Sequence, residues 1–303
     1  MKVFITGATG YVGGSVATRL MQAGHSVIGL ARSAEAAAAL TQRGIEPLAG
    51  DINAYTPFVE VMKRVDAVIN AANSDNPFVV HALREGLKGT GKALIQTSGS
   101  SVVGNYDNGE AADRIFDEAT PFTPQAEKAG RVAIDHAVLD AARENVRAIV
   151  IRPSLIYGRG LGVEATSIQL PKLIALAKKH GVGRHVGRGL NIWSNVHIAD
   201  VAALYLLALE QAPAGSVFYA ENGEADFKSV AAAISRMLGY GGATRDMPIG
   251  EAVEELGPGA YLSFGSNSRV RGVKSRALGW QPKGGTLLDE IERGVYAEVY
   301  GRK

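Results

Sequence analysis

Three glycines near the start of the chain restrict its fold more than any other sequence feature. Val3 to Thr6 has the pattern of a buried strand, and Gly7, Gly10 and Gly13 follow it as a helical pattern begins. Glycine at these positions permits a sharp turn, a close backbone approach to a ligand, and tight helix–strand packing. The free amides at the start of that helix would bind a pyrophosphate. The residues expected to contact it are Gly7, Thr9, Gly10, Tyr11, Val12 and Gly13.

Short β-branched segments alternate with helical patterns through the first half of the chain, which is typical of a parallel sheet covered by helices on both faces. Strands are predicted at Val3–Thr6, Ser26–Leu30, Ile45–Ala49, Asp66–Asn70, Ala93–Thr97 and Ala148–Ile151. Helices are predicted at Tyr11–Ala23, Ala34–Arg43, Phe78–Gly86 and Gln125–Glu144. The predicted class is α/β, with a Rossmann-type doubly wound parallel sheet.

The pattern changes beyond Tyr157, where glycine-rich loops alternate with helices. Further helices are predicted at Ser167–Lys179, Ile198–Glu210 and Phe227–Leu238, and a strand at Val217–Ala220. We therefore expect a dinucleotide-binding domain over residues 1–157 and a smaller C-terminal substrate lobe formed mainly by residues 158–303. The sequence shows no tandem repeat or low-complexity linker, so the two are expected to pack as one unit.

The residues after the second predicted strand bear on which dinucleotide would bind. NAD(H)-binding turns usually place a carboxylate there, which accepts from the adenosine ribose hydroxyls. This chain instead has Arg32 and Ser33, and a guanidinium with a hydroxyl suits the 2′-phosphate of NADP(H). NADP(H) is therefore predicted in preference to NAD(H). In the alternative interpretation, Arg32 is solvated and Glu35 contacts the ribose.

Asp51 and Ile52 follow the third predicted strand, where an adenine ring would lie. Both are therefore candidate adenine contacts. Asp51 is equally well explained as a turn residue or helix N-cap, so the sequence leaves open both the adenine contact and this structural role.

The bulk composition argues against several classes of protein. The net charge is +2 and like charges do not cluster, so neither a nucleic acid nor a membrane surface is an expected partner. There is no Cys, and the 6 His residues are scattered, so no metal site is predicted. The first residues lead directly into a strand pattern and no apolar stretch has bilayer length, so a cytoplasmic protein is expected. We expect a small-molecule substrate and a monomer or homodimer.

Several segments, in order along the chain, resemble the extended and atypical short-chain dehydrogenase/reductase superfamily, and its epimerase/dehydratase-like branch in particular. These segments are Thr6–Gly13, Gly50–Ile52, Val68–Ala72, Arg152–Gly158, Asn195–Ala202 and Leu278–Pro282. The resemblance implies a Rossmann core, a small C-terminal substrate lobe and a bound nicotinamide dinucleotide. It also implies further cofactor contacts from Asn70, Ala71, Ala72, Asn73, Thr97, Pro153 and Ile156.

The catalytic helix of that superfamily usually carries Tyr-x-x-x-Lys, in which the lysine lowers the pKa of a phenol that exchanges a proton with the substrate. This chain departs from the motif, because Glu127 occupies the tyrosine position and Arg131 the lysine position. Arg131 is expected to hydrogen-bond the nicotinamide ribose, but a guanidinium does not deprotonate and cannot relay a proton. Glu127 is either an exposed helix residue or, if desolvated, an acid or base.

Polar groups at the carboxyl edge of the predicted sheet are the remaining candidates for chemistry. Ser98 and Ser100 follow a strand at the edge where open α/β folds bind ligands, although Ser-Gly-Ser is also ordinary turn composition. Asp75 faces the nicotinamide in one interpretation and belongs to a capped helix start in another. Tyr106 is a further candidate. The predicted catalytic residues are Ser98, Ser100, Asp75 and Arg131.

Three functions are consistent with these residues. The leading hypothesis is an oxidoreductase that moves hydride between NADPH and a small carbonyl, imine or sugar-like substrate, with water or a non-standard residue as proton donor. The second is an NADP(H)-sensing binding protein without turnover. The third is an NAD-dependent nucleotide-sugar epimerase or dehydratase, against which stand Arg32 and the missing tyrosine.

Overall fold

A computed structural model describes residues 1–53 and 55–301 of the chain. Its strands, numbered along the chain, are β1 Lys2–Thr6, β2 Ser26–Ala31, β3 Glu46–Ala49, β4 Ala67–Asn70, β5 Ala93–Thr97, β6 Arg147–Pro153, β7 Leu155–Tyr157, β8 Gly183–Val186, β9 Ile192–His197, β10 Ser216–Ala220, β11 Glu224–Asp226 and β12 Thr244–Met247.

The helices, also numbered along the chain, are α1 Tyr11–Gln22, α2 Ala34–Thr41, α3 Tyr55–Lys63, α4 Pro77–Leu87, α5 Ala126–Asp140, α6 Gln169–His180, α7 Ile198–Gln211, α8 Phe227–Met237, α9 Ile249–Leu256, α10 Ala260–Ser263, α11 Val273–Ala277, α12 Leu287–Glu292 and α13 Val295–Tyr300. Short 3-10 helices occupy Ser100–Val103 and Ala141–Glu144.

The central layer is a seven-stranded sheet in the order β3-β2-β1-β4-β5-β6-β10. Every neighbouring pair in it is parallel. The strand order reverses between β1 and β4, which is the switch point where Rossmann folds bind their ligands. The predicted α/β class with a Rossmann-type doubly wound parallel sheet is confirmed.

The central sheet is covered on both faces. Val3 and Ile5 enter one hydrophobic cluster, which α1 and α7 complete, whereas Phe4 between them enters the cluster beneath α3, α4 and α5. This alternation follows from the two-residue side-chain period of a strand. Because both faces are buried, the strands are nearly continuous apolar segments.

The smaller lobe has its own core. Strands β7, β9 and β11 form a three-stranded sheet, and β8 pairs with β12. Leu173 on α6, Ile234 on α8 and Ile291 on α12 belong to the same buried cluster.

Residues beyond 157 contribute to the central sheet and its covering helices as well as to the smaller lobe. The strand predicted at Val217–Ala220 is β10, which pairs in parallel with β6 and forms one edge of the central sheet. The predicted helix at Ile198–Glu210 is α7, which packs beside α1 in the cluster on that face. The chain therefore enters the smaller lobe, returns to the central sheet and leaves it again. The domain division at residue 157 stays a prediction.

Candidate functional site

The turn between β1 and α1 forms a cradle lined by backbone amides. Gly7 has a left-handed backbone with φ of +72°, and the Gly10 amide donates to Gly7 O at 2.9 Å. A Cβ on Gly13 would lie 2.2 Å from Gly7 O, so only glycine fits there. Helix α1 begins without a side-chain cap, with Thr9 and Val12 partly buried beside its first turn. Its first amides remain open to a ligand, and the geometry fits a pyrophosphate.

The backbone after β4 closes the other side of this turn. A Cβ on Gly7 would lie 2.7 Å from Ala71 O, so the two backbone segments are in close contact. Ala72 and Asn73 follow in exposed positions. Asn73 Oδ1 accepts from the Asp75 amide at 2.9 Å, which fixes the start of the loop that leads to α4.

Asn70 is buried beneath the glycine turn. Its Oδ1 accepts from Thr6 Oγ1 at 2.5 Å, and its Nδ2 donates to Gln96 Oε1 at 2.8 Å. The Ala71 amide donates to the same Thr6 hydroxyl at 3.2 Å. These bonds tie together the carboxyl ends of β1, β4 and β5. Asn70 therefore lies one layer below the cradle and supports it.

Tyr11 joins the start of α1 to the glycine-rich loop 158–162. Its hydroxyl donates to Gly158 O at 2.8 Å, and burial raises the pKa of the phenol. A Cβ on Gly162 would lie 2.5 Å from Gly14 Cα, so the loop rests directly on the helix. Gly162, one of the glycines that mark the change of sequence pattern, is therefore required by this contact.

The tip of β2 carries the residues predicted to select the dinucleotide. Arg32 is exposed, and within the described ranges its guanidinium has no hydrogen-bond or ion-pair partner. Ser33 caps α2, with its hydroxyl accepting from the Ala36 amide at 3.2 Å. Glu35 is exposed in the first turn of α2, and a hydrogen bond from Ser33 lowers the pKa of its carboxyl. Arg32 is thus an unpaired cation with a carboxylate nearby in sequence.

Asp51 and Ile52 follow β3. Asp51 Oδ1 accepts from the backbone amide and the side-chain amide of Asn53, at 2.8 and 2.9 Å. Ile52 is partly buried against the cluster beneath α3, α4 and α5. Of the two interpretations of Asp51, this geometry favours the turn.

Asp75 and Arg131 form a two-point ion pair at the carboxyl edge of the sheet. Arg131 Nε lies 2.8 Å from Asp75 Oδ1, and Nη2 lies 2.5 Å from Oδ2. The guanidinium is mostly buried, whereas the carboxylate is more than half exposed. The pair holds the pKa of Asp75 below its usual range. Residues distant in sequence meet here because the loop before α4 and the start of α5 lie above neighbouring strands.

Glu127 is exposed and accepts a hydrogen bond from the Tyr106 hydroxyl. That bond lowers the pKa of Glu127 and raises that of Tyr106. Glu127, Asp75 and Arg131 border a groove of about 580 Å³ between α4 and α5. Glu127 is therefore an exposed, ionised helix residue, and its carboxylate is not an acid at neutral pH.

Ser98 is buried at the end of β5 within a charged network. Its hydroxyl donates to Asp135 Oδ2 at 2.9 Å, and Arg152 Nε donates to the same oxygen at 2.8 Å. The Arg152 guanidinium also lies over the rings of Phe122 and Tyr219. Burial raises the pKa of Asp135 in spite of this partner. Its second oxygen, Oδ1, is buried without a hydrogen-bond partner in the part of the chain that the structure describes.

Other predicted residues at this edge are also held by protein partners. The Ser100 hydroxyl lies 2.8 Å from that of Ser268, and both are buried. Thr97 Oγ1 accepts from the Tyr205 hydroxyl at 2.7 Å. Pro153 ends β6 in a buried position, and Ile156 on β7 is partly buried. The structure brings these residues to one edge of the sheet, where the hydroxyls of Ser100 and Thr97 are hydrogen-bonded to other residues of the protein.

Three charged residues at this edge were not predicted from the sequence as site residues, namely Lys128, Asp135 and Arg152. Asp135 follows Arg131 by four residues on α5, which places both on one helix face and could have been recognised. Arg152 closes an apolar strand, where a charge is expected to have a buried partner. No sequence signal separates Lys128 from an ordinary solvated lysine.

The residues that the structure describes contain no group of three or more His, Cys, Asp or Glu side chains arranged to hold a metal ion. None of their helices combines the length and apolar character needed to cross a bilayer.

Known proteins resemble this chain over about three quarters of its length or more. An uncharacterised protein of Schizosaccharomyces pombe is 31% identical over 98% of this chain and 100% of its own length. A 4-hydroxy-2-methyl-3-oxo-4-farnesyl-3,4-dihydroquinoline-1-oxide ketoreductase of Stigmatella aurantiaca is 28% identical over 74% of this chain and 69% of its own.

A solved structure shares the fold. The dTDP-glucose 4,6-dehydratase of Bacillus anthracis, in complex with NAD, superposes with a TM-score of 0.77 at 19% identity, over 98% of this chain and 96% of its own. At that identity the similarity concerns the fold alone. The family model for the NAD dependent epimerase/dehydratase family matches residues 3–79 and 79–219. Together with the glycine turn and the strand order, this match shows that the chain belongs to the NAD dependent epimerase/dehydratase family, within the extended short-chain dehydrogenase/reductase class.

Proposed function

We propose that this chain is an NADP(H)-dependent oxidoreductase that acts on a small carbonyl, imine or sugar-like compound. The observation that carries the proposal is the unpaired Arg32 guanidinium at the tip of β2, beside an amide-lined turn built from Gly7, Gly10 and Gly13. The amides suit two bridging phosphates, and the guanidinium suits a third phosphate on the adenosine ribose.

In this proposal the remaining cofactor contacts come from the carboxyl edge of the sheet. Ala71, Ala72 and Asn73 would border the pyrophosphate, Arg131 would reach the nicotinamide ribose, and Pro153 and Ile156 would line the nicotinamide. When bound, NADPH would supply a hydride. The chain's own contribution is to hold the substrate at this edge, with the smaller lobe covering it, and to provide a proton.

Two observations support carbonyl reduction over the alternatives. The relative from Stigmatella aurantiaca is named as a ketoreductase, and it matches 74% of this chain. The tyrosine that epimerase and dehydratase chemistry would need as a base is replaced by Glu127, which Tyr106 holds in its ionised form.

The cofactor assignment is tested by Arg32→Asp, with calorimetric titration of NADPH and NADH. We expect the affinity for NADPH to fall by a factor on the order of 100, because a charge-assisted contact is replaced by a repulsion, while NADH binding changes little. Arg143→Asp is the matched control, since Arg143 is 86% exposed on a 3-10 helix after α5. Equal weakening of both dinucleotides by Arg32→Asp would refute the choice of NADP(H).

A second function is favoured by one observation: the hydroxyls of Ser98, Ser100 and Thr97 and the Asp75 carboxylate all have protein partners. These contacts suit a protein that binds NADP(H) as a sensor without turnover. Loss of NADPH absorbance with a panel of ketones, aldehydes and imines supports the oxidoreductase. Stoichiometric binding without turnover supports the sensor, and tightly bound NAD released on denaturation supports an epimerase.

A further inference from the structure

We propose that Lys128 is the proton donor of this site, in place of the missing tyrosine, and that its ammonium protonates the substrate oxygen or nitrogen. The inference deepens the proposed oxidoreductase function and rests on it.

Lys128 lies on the face of α5 that meets the carboxyl edge of the sheet. It precedes Arg131 by three residues and Asp135 by seven, so the three side chains share one helix face. Asp135 accepts from Ser98 at the end of β5 at 2.9 Å. Arg131 Nη1 lies 3.6 Å from the point where a Cβ on Gly99 would stand. Both neighbours on this face therefore reach the strand end where the substrate would bind.

Among the side chains that the structure describes, those of residues 1–53 and 59–301, the Lys128 ammonium has no partner. It is partly buried, yet within these residues Nζ forms neither a hydrogen bond nor an ion pair. A lysine withdrawn from water usually gains a carboxylate partner, because losing hydration without one is costly. An ammonium left with its donors free at a ligand-binding edge is available to a substrate.

The other charged groups near Lys128 already have protein partners. Arg131 and Glu127 on α5 and Asp75 from the loop before α4 are the charges that act on it. Asp75 is paired with Arg131, and Glu127 accepts from Tyr106. Arg131 does not deprotonate, and both carboxylates have lowered pKa values, so none of the three is an acid at neutral pH.

Burial and the adjacent Arg131 charge lower the pKa of Lys128, while Asp75 and Glu127 partly oppose them. A lowered pKa moves the ammonium toward the range in which general acids work best. A hydride supplied by NADPH would add to the carbonyl carbon and leave NADP⁺. The C=O π electrons pass to oxygen, which takes a proton from Nζ as that N–H bond breaks. The product is an alcohol, Lys128 is left as a neutral amine, and water returns the proton.

The first test does not depend on turnover. Reductive methylation with ¹³C-formaldehyde labels the lysines, and Lys128→Gln identifies the Lys128 resonance, with Lys172→Gln as a control for an exposed helix lysine. We expect the Lys128 resonance to titrate clearly below the ordinary lysine pKa of about 10.4. Titration at or above that value would overturn the proposal.

The second test distinguishes a role of Lys128 as proton donor from a role as positive charge alone. With NADPH and a substrate found in the panel, Lys128→Gln and Lys128→Arg should both lower kcat by a factor on the order of 10² to 10⁴, with the Kd for NADPH within two-fold of the parent. The parent's kcat should fall as pH rises through the measured pKa, and neither variant should show that limb. Full activity in Lys128→Arg or Lys128→Gln would overturn the donor role alone. A parent protein without turnover on any carbonyl or imine would overturn the proposed function and the donor role with it.

Discussion

At the scale of single residues, two glycines in helices show how context decides the role of the same residue. Gly13 lies where a Cβ would meet Gly7 O at 2.2 Å, whereas a Cβ on Gly130 in α5 has nothing within 4 Å. Both occupy helical positions, where alanine is intrinsically preferred. Only the tertiary environment separates them.

We expect Gly13→Ala to abolish measurable NADPH binding and to lower the free energy of unfolding, because the turn must open to accept the methyl group. Gly130→Ala should instead raise stability by about 0.5–1 kcal/mol, the usual gain of alanine over glycine in a helix. Urea denaturation and calorimetric titration measure both effects. Binding retained by Gly13→Ala would show that the turn does not hold the ligand.

The buried pair of Asp135 and Arg152 gives a second prediction at this scale. Arg152 is 7% exposed and Asp135 is fully buried, so Asp135→Asn would leave a guanidinium without its counterion. We expect a loss of about 3–5 kcal/mol in the free energy of unfolding. Glu60→Gln is the control: its partner Lys63 and Glu60 itself are both about two-thirds exposed, and surface pairs contribute about 0–1 kcal/mol. Equal losses of unfolding free energy for the two substitutions in chemical denaturation would contradict the role of Asp135 as the buried counterion of Arg152.

At the scale of elements, the segment before α12 is attached to α7 through Asp200. Both oxygens of Asp200 accept backbone amides, from Lys283 and Gly284, each at 2.8 Å. The indole of Trp280 adds a bond from Nε1 to Asp200 O at 2.9 Å. The start of α7 thus holds a segment that lies 80 residues further along the chain.

We expect Asp200→Ala to cost about 1–3 kcal/mol, since two partly buried backbone amides lose their acceptor, and to speed hydrogen exchange at Lys283 and Gly284. Asp226→Ala is the matched control, because Asp226 caps α8 through the Ser229 amide at 2.8 Å. It should cost about 1 kcal/mol and leave exchange at residues 283 and 284 unchanged. Unaltered exchange at those amides in Asp200→Ala would exclude the attachment.

At the scale of the whole molecule, the two tryptophans report on different cores. Trp193 is buried in the cluster of the smaller lobe, and Trp280 in the cluster between the central sheet and α7. The chain passes from the smaller lobe to α7 and β10 and back, so neither core can be completed without the other part of the chain.

We therefore expect one cooperative unfolding transition. Single-tryptophan variants, Trp193→Phe and Trp280→Phe, should give fluorescence midpoints that differ from the parent's but coincide with each variant's own circular dichroism midpoint. Two separated transitions within one variant would show that the lobes unfold independently, and would favour a boundary near residue 157.

Much of the architecture could be predicted from local sequence. The glycine spacing, the apolar strands and the helix periodicities depend on residues close together in the chain, and so does the exposed position of Arg32. The sequence could not assign β10 to the central sheet, because Val217–Ala220 is an apolar segment like several others and its partner β6 is distant. Nor could it show that Asn70 lies beneath the cradle, since a polar residue at a strand end suits either a ligand or a buried network.

Local sequence is enough to specify the strand–turn–helix unit, because steric constraints on Gly7 and the alternation of apolar residues act within a few positions. Which polar groups are available for chemistry depends instead on contacts between distant parts of the chain. Ser98, Ser100, Asp75 and Glu127 all stand at the right edge, but each has a partner that arrives from a distant segment. Lys128 has none among the side chains that the structure describes, and an ammonium's lack of a partner depends on its three-dimensional surroundings, which no local pattern encodes.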